Sequence, residues 1–184
     1  MDPSTALFPT LLGPCWARLP ASVRALHGGR ASVLAHGRVA VDGDPRWPAR
    51  MLRALLRMPS PQSDAAIEVE IHQYAGGEIW RRRFGDALLE SRLQRCARWP
   101  DAFEERLGMA HLAFALDADA ARLRWVTREV RALGVRLPLR WFRGVEAACG
   151  GDGDRYRFDV SVRLPVIGLL IAYRGWLEVD DANR

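Results

Sequence analysis

The stretch AIEVEIHQYAGGEIWRRRFGDALLESRLQ, residues 66–94, decides the fold. Ile67, Val69 and Ile71 alternate with Glu68, Glu70 and His72, the period-two pattern of a strand with one buried and one wet face. The loop Tyr74-Ala75-Gly76-Gly77 interrupts it, a second run covers 78–84, Gly85-Asp86 suits a two-residue hairpin turn, and a third run covers 87–94. Three such runs joined by short turns make an antiparallel meander. If Ile67, Val69 and Ile71 share a face with Trp80 and Phe84, then Glu70 falls opposite Arg81, Glu68 opposite Arg83, and Glu90 opposite Arg81 across the tight turn. Arg82 is left between Trp80 and Phe84 on the apolar face. An arginine there is costly unless a carboxylate, a phosphate or a water-filled cavity receives it, or unless the chain snorkels out at a sheet edge.

The same period continues toward the C-terminus. Leu112, Phe114 and Leu116 alternate, as do Leu123 and Trp125, then Val145, Ala147 and Cys149, and then Tyr156, Phe158, Val160, Val162 and Leu164 beyond the loop at 150–154. A helical turn is expected at 102–106. The last strand, about 169–178, is apolar on both faces and should be covered on both sides, which makes Arg174 a second candidate for an internal charge, with Glu129 or Asp159 as its partner.

The first sixty residues read as short helices at 7–12 and 20–26, a strand of poor alternation at 30–41, and a better helix at 48–57. That helix should lie on the sheet through Met51, Leu52, Leu55 and Leu56 and turn Arg50, Arg53 and Arg57 to solvent. Strands and crossover helices do not alternate, so a doubly wound sheet is excluded. The expectation is an α+β, mainly antiparallel fold over 1–184 as one domain: a helical segment at 1–62 with one strand, then a strongly curved sheet or incomplete β-barrel of about eight or nine strands at 66–178.

The chain has 184 residues, 49% of them hydrophobic, and all 27 basic residues are arginine, for a net charge of +5. Without lysine there is neither Schiff-base chemistry nor a Walker-type phosphate loop. Cys15, Cys96 and Cys149 are odd in number and far apart, which predicts reduced thiols rather than a disulfide framework. The N-terminus does not read as a secretory signal, and the longest apolar run, 164–173, is too short to span a bilayer, so a cytoplasmic protein is expected. His27, His36, His72 and His111 have no metal-ligand spacing, and neither a nucleophile elbow nor a dinucleotide fingerprint occurs, so no metal, cofactor or catalytic set is predicted. The arginines are interleaved with carboxylates rather than gathered in a stripe, which argues against nucleic acid.

Three separated motifs carry a family resemblance. They are Leu12-Gly13-Pro14-Cys15-Trp16-Ala17-Arg18-Leu19-Pro20 with Arg24-Ala25-Leu26-His27, Gly77-Glu78-Ile79-Trp80-Arg81-Arg82-Arg83-Phe84-Gly85, and Tyr156-Arg157-Phe158-Asp159-Val160 with Tyr173-Arg174-Gly175-Trp176-Leu177. Together they resemble a bacterial domain-of-unknown-function family, the one numbered 4166. The resemblance brings no catalytic residues. It implies a domain found alone or behind nicotinamide-dependent reductase or epimerase-like domains, hence an accessory role with a reductase-like partner, and this chain resembles the free-standing form.

The residues themselves favour a non-enzymatic binding domain for a small, mostly apolar molecule with an acidic group. The candidate ligand contacts are Arg82, Arg174, Trp80, Tyr156, Tyr173 and Trp176. Two other readings compete: an enzyme or accessory domain acting with the reductase, and an interaction module presenting Trp99, Trp141 and Phe142.

Overall fold

The computed structural model describes residues 6–180. The meander at its centre is formed by β2 (Gln62–Tyr74), β3 (Gly77–Phe84) and β4 (Ala87–Arg95), preceded by β1 (Ser32–Asp42). Then come β5 (Ala102–Leu107), β6 (Ala110–Ala118), β7 (Arg122–Ala132), β8 (Val135–Arg136), β9 (Gly144–Asp152), β10 (Arg155–Leu164) and β11 (Gly168–Val179). Each pairs antiparallel with its neighbours in the order β6-β5-β4-β3-β2-β1-β11-β10-β9-β7, and a β6–β7 pairing closes the ring. β8 lies outside it as a short hairpin on β7. The sheet is therefore a closed ten-stranded barrel with one extra strand, not an incomplete barrel of eight or nine. Closure removes the exposed edges that a curved open sheet would keep.

Two strands account for the difference. In β1 the buried positions Val33, Ala35, Val39 and Val41 do alternate, but Ala35 and the intervening Gly37 add little hydrophobic signal. A Cβ on Gly37 would fall 1.9 Å from the Trp176 carbonyl oxygen, and one on Gly175 2.1 Å from that of Arg38, so the two glycines let β1 and β11 bend closely past each other. Residues 102–106, expected as a helical turn, lie in β5, where Phe103, Glu105 and Leu107 occupy alternate positions facing the core. The inward glutamate hides the period.

Helices α1 (Leu7–Leu12) and α2 (Ala21–His27), joined by a 3₁₀ turn at Gly13–Arg18, plug one end of the barrel. Phe8, Val23 and Leu26 are fully buried in the core, with α2 against β9, β10 and β11 and α1 against β6. The other end stays open beside α3 (Trp47–Leu55), which packs on β11.

α3 does not use the face expected of it. Ala49 and Arg53 are buried, Leu52 is half-buried, and Met51 and Leu55 are exposed. The small Ala49 admits a close approach, and Arg53 donates from Nη1 to the Leu170 carbonyl at 2.9 Å and from Nη2 to the Asp44 carbonyl at 3.0 Å. Leu170 and Ala172 are buried where the helix meets β11, so this part of the last strand is covered on both faces. Replacing Arg53 with methionine strips two buried carbonyls of charged donors and should lower unfolding stability by about 2–4 kcal/mol. Leu55→Ala should change it by less than about 0.5 kcal/mol, as for other exposed sites. Urea denaturation of both variants checks the assignment, and the reverse order of effects would place the helix face wrongly.

Candidate functional site: a cavity inside the barrel

The ring of strands encloses a cavity of about 300 Å³ that reaches the open end. Its wall is almost wholly apolar, with Leu89, Leu112, Phe114, Trp125, Phe158 and Val160 among the lining residues. The polar groups are few: Arg82, Glu105, Tyr156, Tyr173 and Cys149, with Arg131 toward the rim. Four of the six residues expected at a ligand site, Trp80, Arg82, Tyr156 and Tyr173, line this one space.

The register of the meander brings Arg82 there. Glu68 pairs with Arg83, Glu70 with Arg81, and Arg81 with Glu90, the last at 3.0 Å between side chains on the outer surface. Arg82 is thereby turned inward. Its Nη2 donates to Glu105 Oε1 at 3.2 Å, its Nη1 to Ser91 Oγ at 3.1 Å, and its guanidinium lies 4.8 Å from the centre of the Trp80 ring. Arg82 and Glu105 stand two strands apart, on β3 and β5, and meet over β4 because its inward residue there is the small Ser91, set opposite Trp80. The partner went unseen in the sequence, since Glu105 sat in a segment that did not alternate.

Arg174 and Trp176 lie elsewhere. Tyr173 points into the barrel, so its neighbour Arg174 must point out; it is exposed, 3.8 Å from Asp42, with Asp159 as its cross-strand neighbour. The covering that hides Ala172 ends before it. Trp176 is on the same outer face, stacked 4.1 Å from the Arg155 guanidinium. Glu129, the other expected partner of Arg174, is ringed by Arg98, Arg131 and Arg136 at 3.3, 2.7 and 2.7 Å. Nor do Trp99, Trp141 and Phe142 form one flat patch. Trp99 packs on Cys96, Ala102 and Ala113, Phe142 lines the cavity, and Trp141 is exposed.

The family described as Domain of unknown function (DUF4166) matches residues 19–177, which include all of the strands around the cavity except the end of β11. The chain belongs to this family. No curated protein matches it. Among solved structures, Rv2717c from M. tuberculosis is similar at 15% identity and a TM-score of 0.44, covering 89% of this chain and 99% of that one.

Beneath the cavity of this DUF4166 chain lies a buried polar layer. Glu78 accepts from Trp80 Nε1 at 2.8 Å and from Gln73 Nε2 at 2.9 Å, which fixes the indole; burial holds its pKa above the usual carboxylate range. His27 Nε2 is hydrogen-bonded to the Tyr156 hydroxyl at 3.1 Å, and its ring lies 4.2 Å from that of Phe8. Burial first, and the Arg82 charge second, lower the His27 pKa to about 3. Burial pushes the Cys149 thiol, hydrogen-bonded to Tyr156, up to about 12, and raises both tyrosine hydroxyls. For Arg82 burial opposes the charge, but the attraction of Glu105, which also accepts a hydrogen bond from it, prevails and raises its pKa. The floor thus carries one ion pair, Arg82 with Glu105, beside an imidazole and a thiol that are both neutral at pH 7. A thiol at about 12 is no thiolate at neutral pH, and an imidazole at about 3 is too weak a base to activate it.

His27 also sets a pH dependence of stability. In the unfolded chain it takes up a proton below about pH 6.5, whereas in the folded protein it stays neutral down to about 3, so stability falls as the pH drops through that window and is complete above it. The slope from this one group is about 1.4 kcal/mol per pH unit. His27→Phe keeps a ring against Phe8 and removes the proton site, so the stability gap between parent and variant should move against the parent by roughly that slope between pH 6 and pH 4. Parallel stability curves would mean that His27 is accessible to protons in the folded state.

Proposed function

We propose that this DUF4166 chain is a non-enzymatic binding domain that holds a small, mostly apolar molecule in the barrel and meets its one acidic group with Arg82. The observation that carries this reading is the cavity itself: an apolar space with one buried charged pair, Arg82 and Glu105, in its wall, open at one end. At about 30 Å³ for a water, its 300 Å³ accommodates roughly ten to fifteen non-hydrogen atoms. Arginine has five N–H donors, and Ser91 and Glu105 engage two of them among the described residues, so donors remain for a ligand. The Tyr173 hydroxyl, also lining the space, offers a further one. Glu105 beside Arg82 favours a weak acid, which can share its proton with that carboxylate, over a group that is always charged.

Arg82 alone cannot be cut away cleanly, because Glu105 would be left as an unpaired buried charge. The double variant Arg82→Met with Glu105→Gln removes the pair together. By isothermal titration, decanoic acid should bind the parent and lose about tenfold or more in affinity on the double variant, while 1-decanol changes less than about threefold. Native mass spectrometry of the protein purified from its own host should show a retained ligand of matching size. Equal losses for acid and alcohol would remove Arg82 from recognition, and a parent that binds neither would remove the cavity as a binding site.

A further inference from the structure

The two ends of the barrel differ in chemistry. At the plugged end the hairpin tips carry no exposed large apolar side chain: Ala75-Gly76, Asp119 to Ala121, and Asp152 to Asp154. At the open end Met109, Leu133 and Val166 stand at the turn tips, 38%, 76% and 92% exposed. Leu133 and Val166 have φ of +51° and +66°, in the left-handed region where glycine or asparagine is at ease and a bulky or β-branched residue is strained. Neither solvent nor backbone favours an apolar residue at such a tip. Leu133 N–H donates to the Met109 carbonyl at 3.1 Å, which ties two of the tips together.

α3 continues the rim. Leu52 and Leu56 line the cavity, while Trp47, Met51 and Leu55 form a stripe at i, i+4 and i+8 that faces away from the barrel. The charge beside this apolar rim is positive. Arg50, Arg57, Arg140, Arg143 and Arg163 are exposed and make no ion pair among the described residues. Asp44 is taken up by Arg46, and Glu129 by three arginines, which leaves Asp86, Glu146 and Asp159 as acids nearby without an ion pair among the described residues.

We propose that the open end of the barrel docks on an anionic lipid bilayer, with Leu133, Val166 and Met109 entering the interface and the unpaired arginines lying among the phosphate headgroups. Apolar turn tips flanked by unpaired arginines match the two layers of such a surface, an apolar interior under a negative plane. Docking in this way would set the apolar opening of the cavity against the apolar phase. The proposal stands on the rim and is independent of what the cavity holds.

The test is sedimentation with vesicles of phosphatidylcholine, with and without phosphatidylglycerol. The intact protein should bind the anionic vesicles about tenfold or more tightly than the neutral ones, and salt should weaken that binding. The variant L133N/V166N places a residue that accepts the left-handed conformation at both tips, so its unfolding stability should match or exceed the parent's while vesicle binding falls about tenfold or more. R140Q/R143Q should lower binding to the anionic vesicles alone, and Leu34→Asn, near the plugged end, should leave it unchanged. The proposal is overturned by absent binding, by equal binding to both compositions, or by a folded L133N/V166N that binds like the parent. Self-association of the parent that L133N/V166N abolishes, without vesicle binding, would assign the rim to a second copy of the chain instead.

Discussion

The pairing of β6 with β7 closes the ring of strands, and closure constrains everything inside it. In an open sheet an arginine on the apolar face could reach solvent at an edge; in a closed barrel it must find its partners within the molecule or at the cavity. Arg82 is therefore tied to Glu105 and Ser91, Trp80 is held by Glu78, and Tyr156 is bound to both His27 and Cys149. The bonds of Glu78, His27 and Cys149 lie toward the plug, whereas Arg82 and Glu105 stand further along, two residues from the opposite ends of β3 and β5. The rest of the cavity wall is almost wholly apolar, from Leu26 and Leu177 near the plug to Leu52 and Met109 at the open end.

The plug and the opening have different sequence costs. Phe8 stacks within about 6 Å of Phe103, Trp125 and Trp80, so a short helix seals the barrel with one aromatic side chain and its neighbours. Among the described residues no comparable side chain seals the other end. α3 instead lies beside it, anchored by Arg53, a long polar side chain that reaches two carbonyls, rather than by an apolar stripe driven into the core. A helix held in this way keeps apolar surface on its remaining faces.

Legibility in the sequence followed the strength of alternation. Residues 66–94 alternate cleanly, so the pairs Glu68–Arg83, Glu70–Arg81 and Arg81–Glu90 could be read in advance, and with them the inward direction of Arg82. β1 and β5 could not be read as barrel strands, because Ala35, Gly37 and Glu105 occupy inward positions without a hydrophobic signal. Glu105, the partner of Arg82, was hidden for the same reason. Arg174 was misplaced on a different ground: Leu170 and Ala172 made the outer face of β11 look internal, whereas α3 covers only that stretch and leaves Arg174 in solvent. Alternation tells which residues share a face, but it does not tell how far a covering helix extends.

The error over α3 has a physical lesson of its own. Its apolar positions, Trp47, Met51, Leu52, Leu55 and Leu56, span a wider arc than a helix at the edge of a barrel can bury. A stripe that wide normally faces a core on most of its width. Here about half of it faces the cavity and the other half faces outward, next to turn tips that are also apolar and also exposed. Four separated segments of the chain, α3 and the turns at Met109, Leu133 and Val166, thus carry surplus hydrophobic residues that converge on one end of the fold. Scattered exposed leucines need no explanation, but convergence from independent segments, at two of which, Leu133 and Val166, the backbone itself disfavours such residues, does. The surplus belongs to whatever this end of the barrel meets rather than to the folding of the chain.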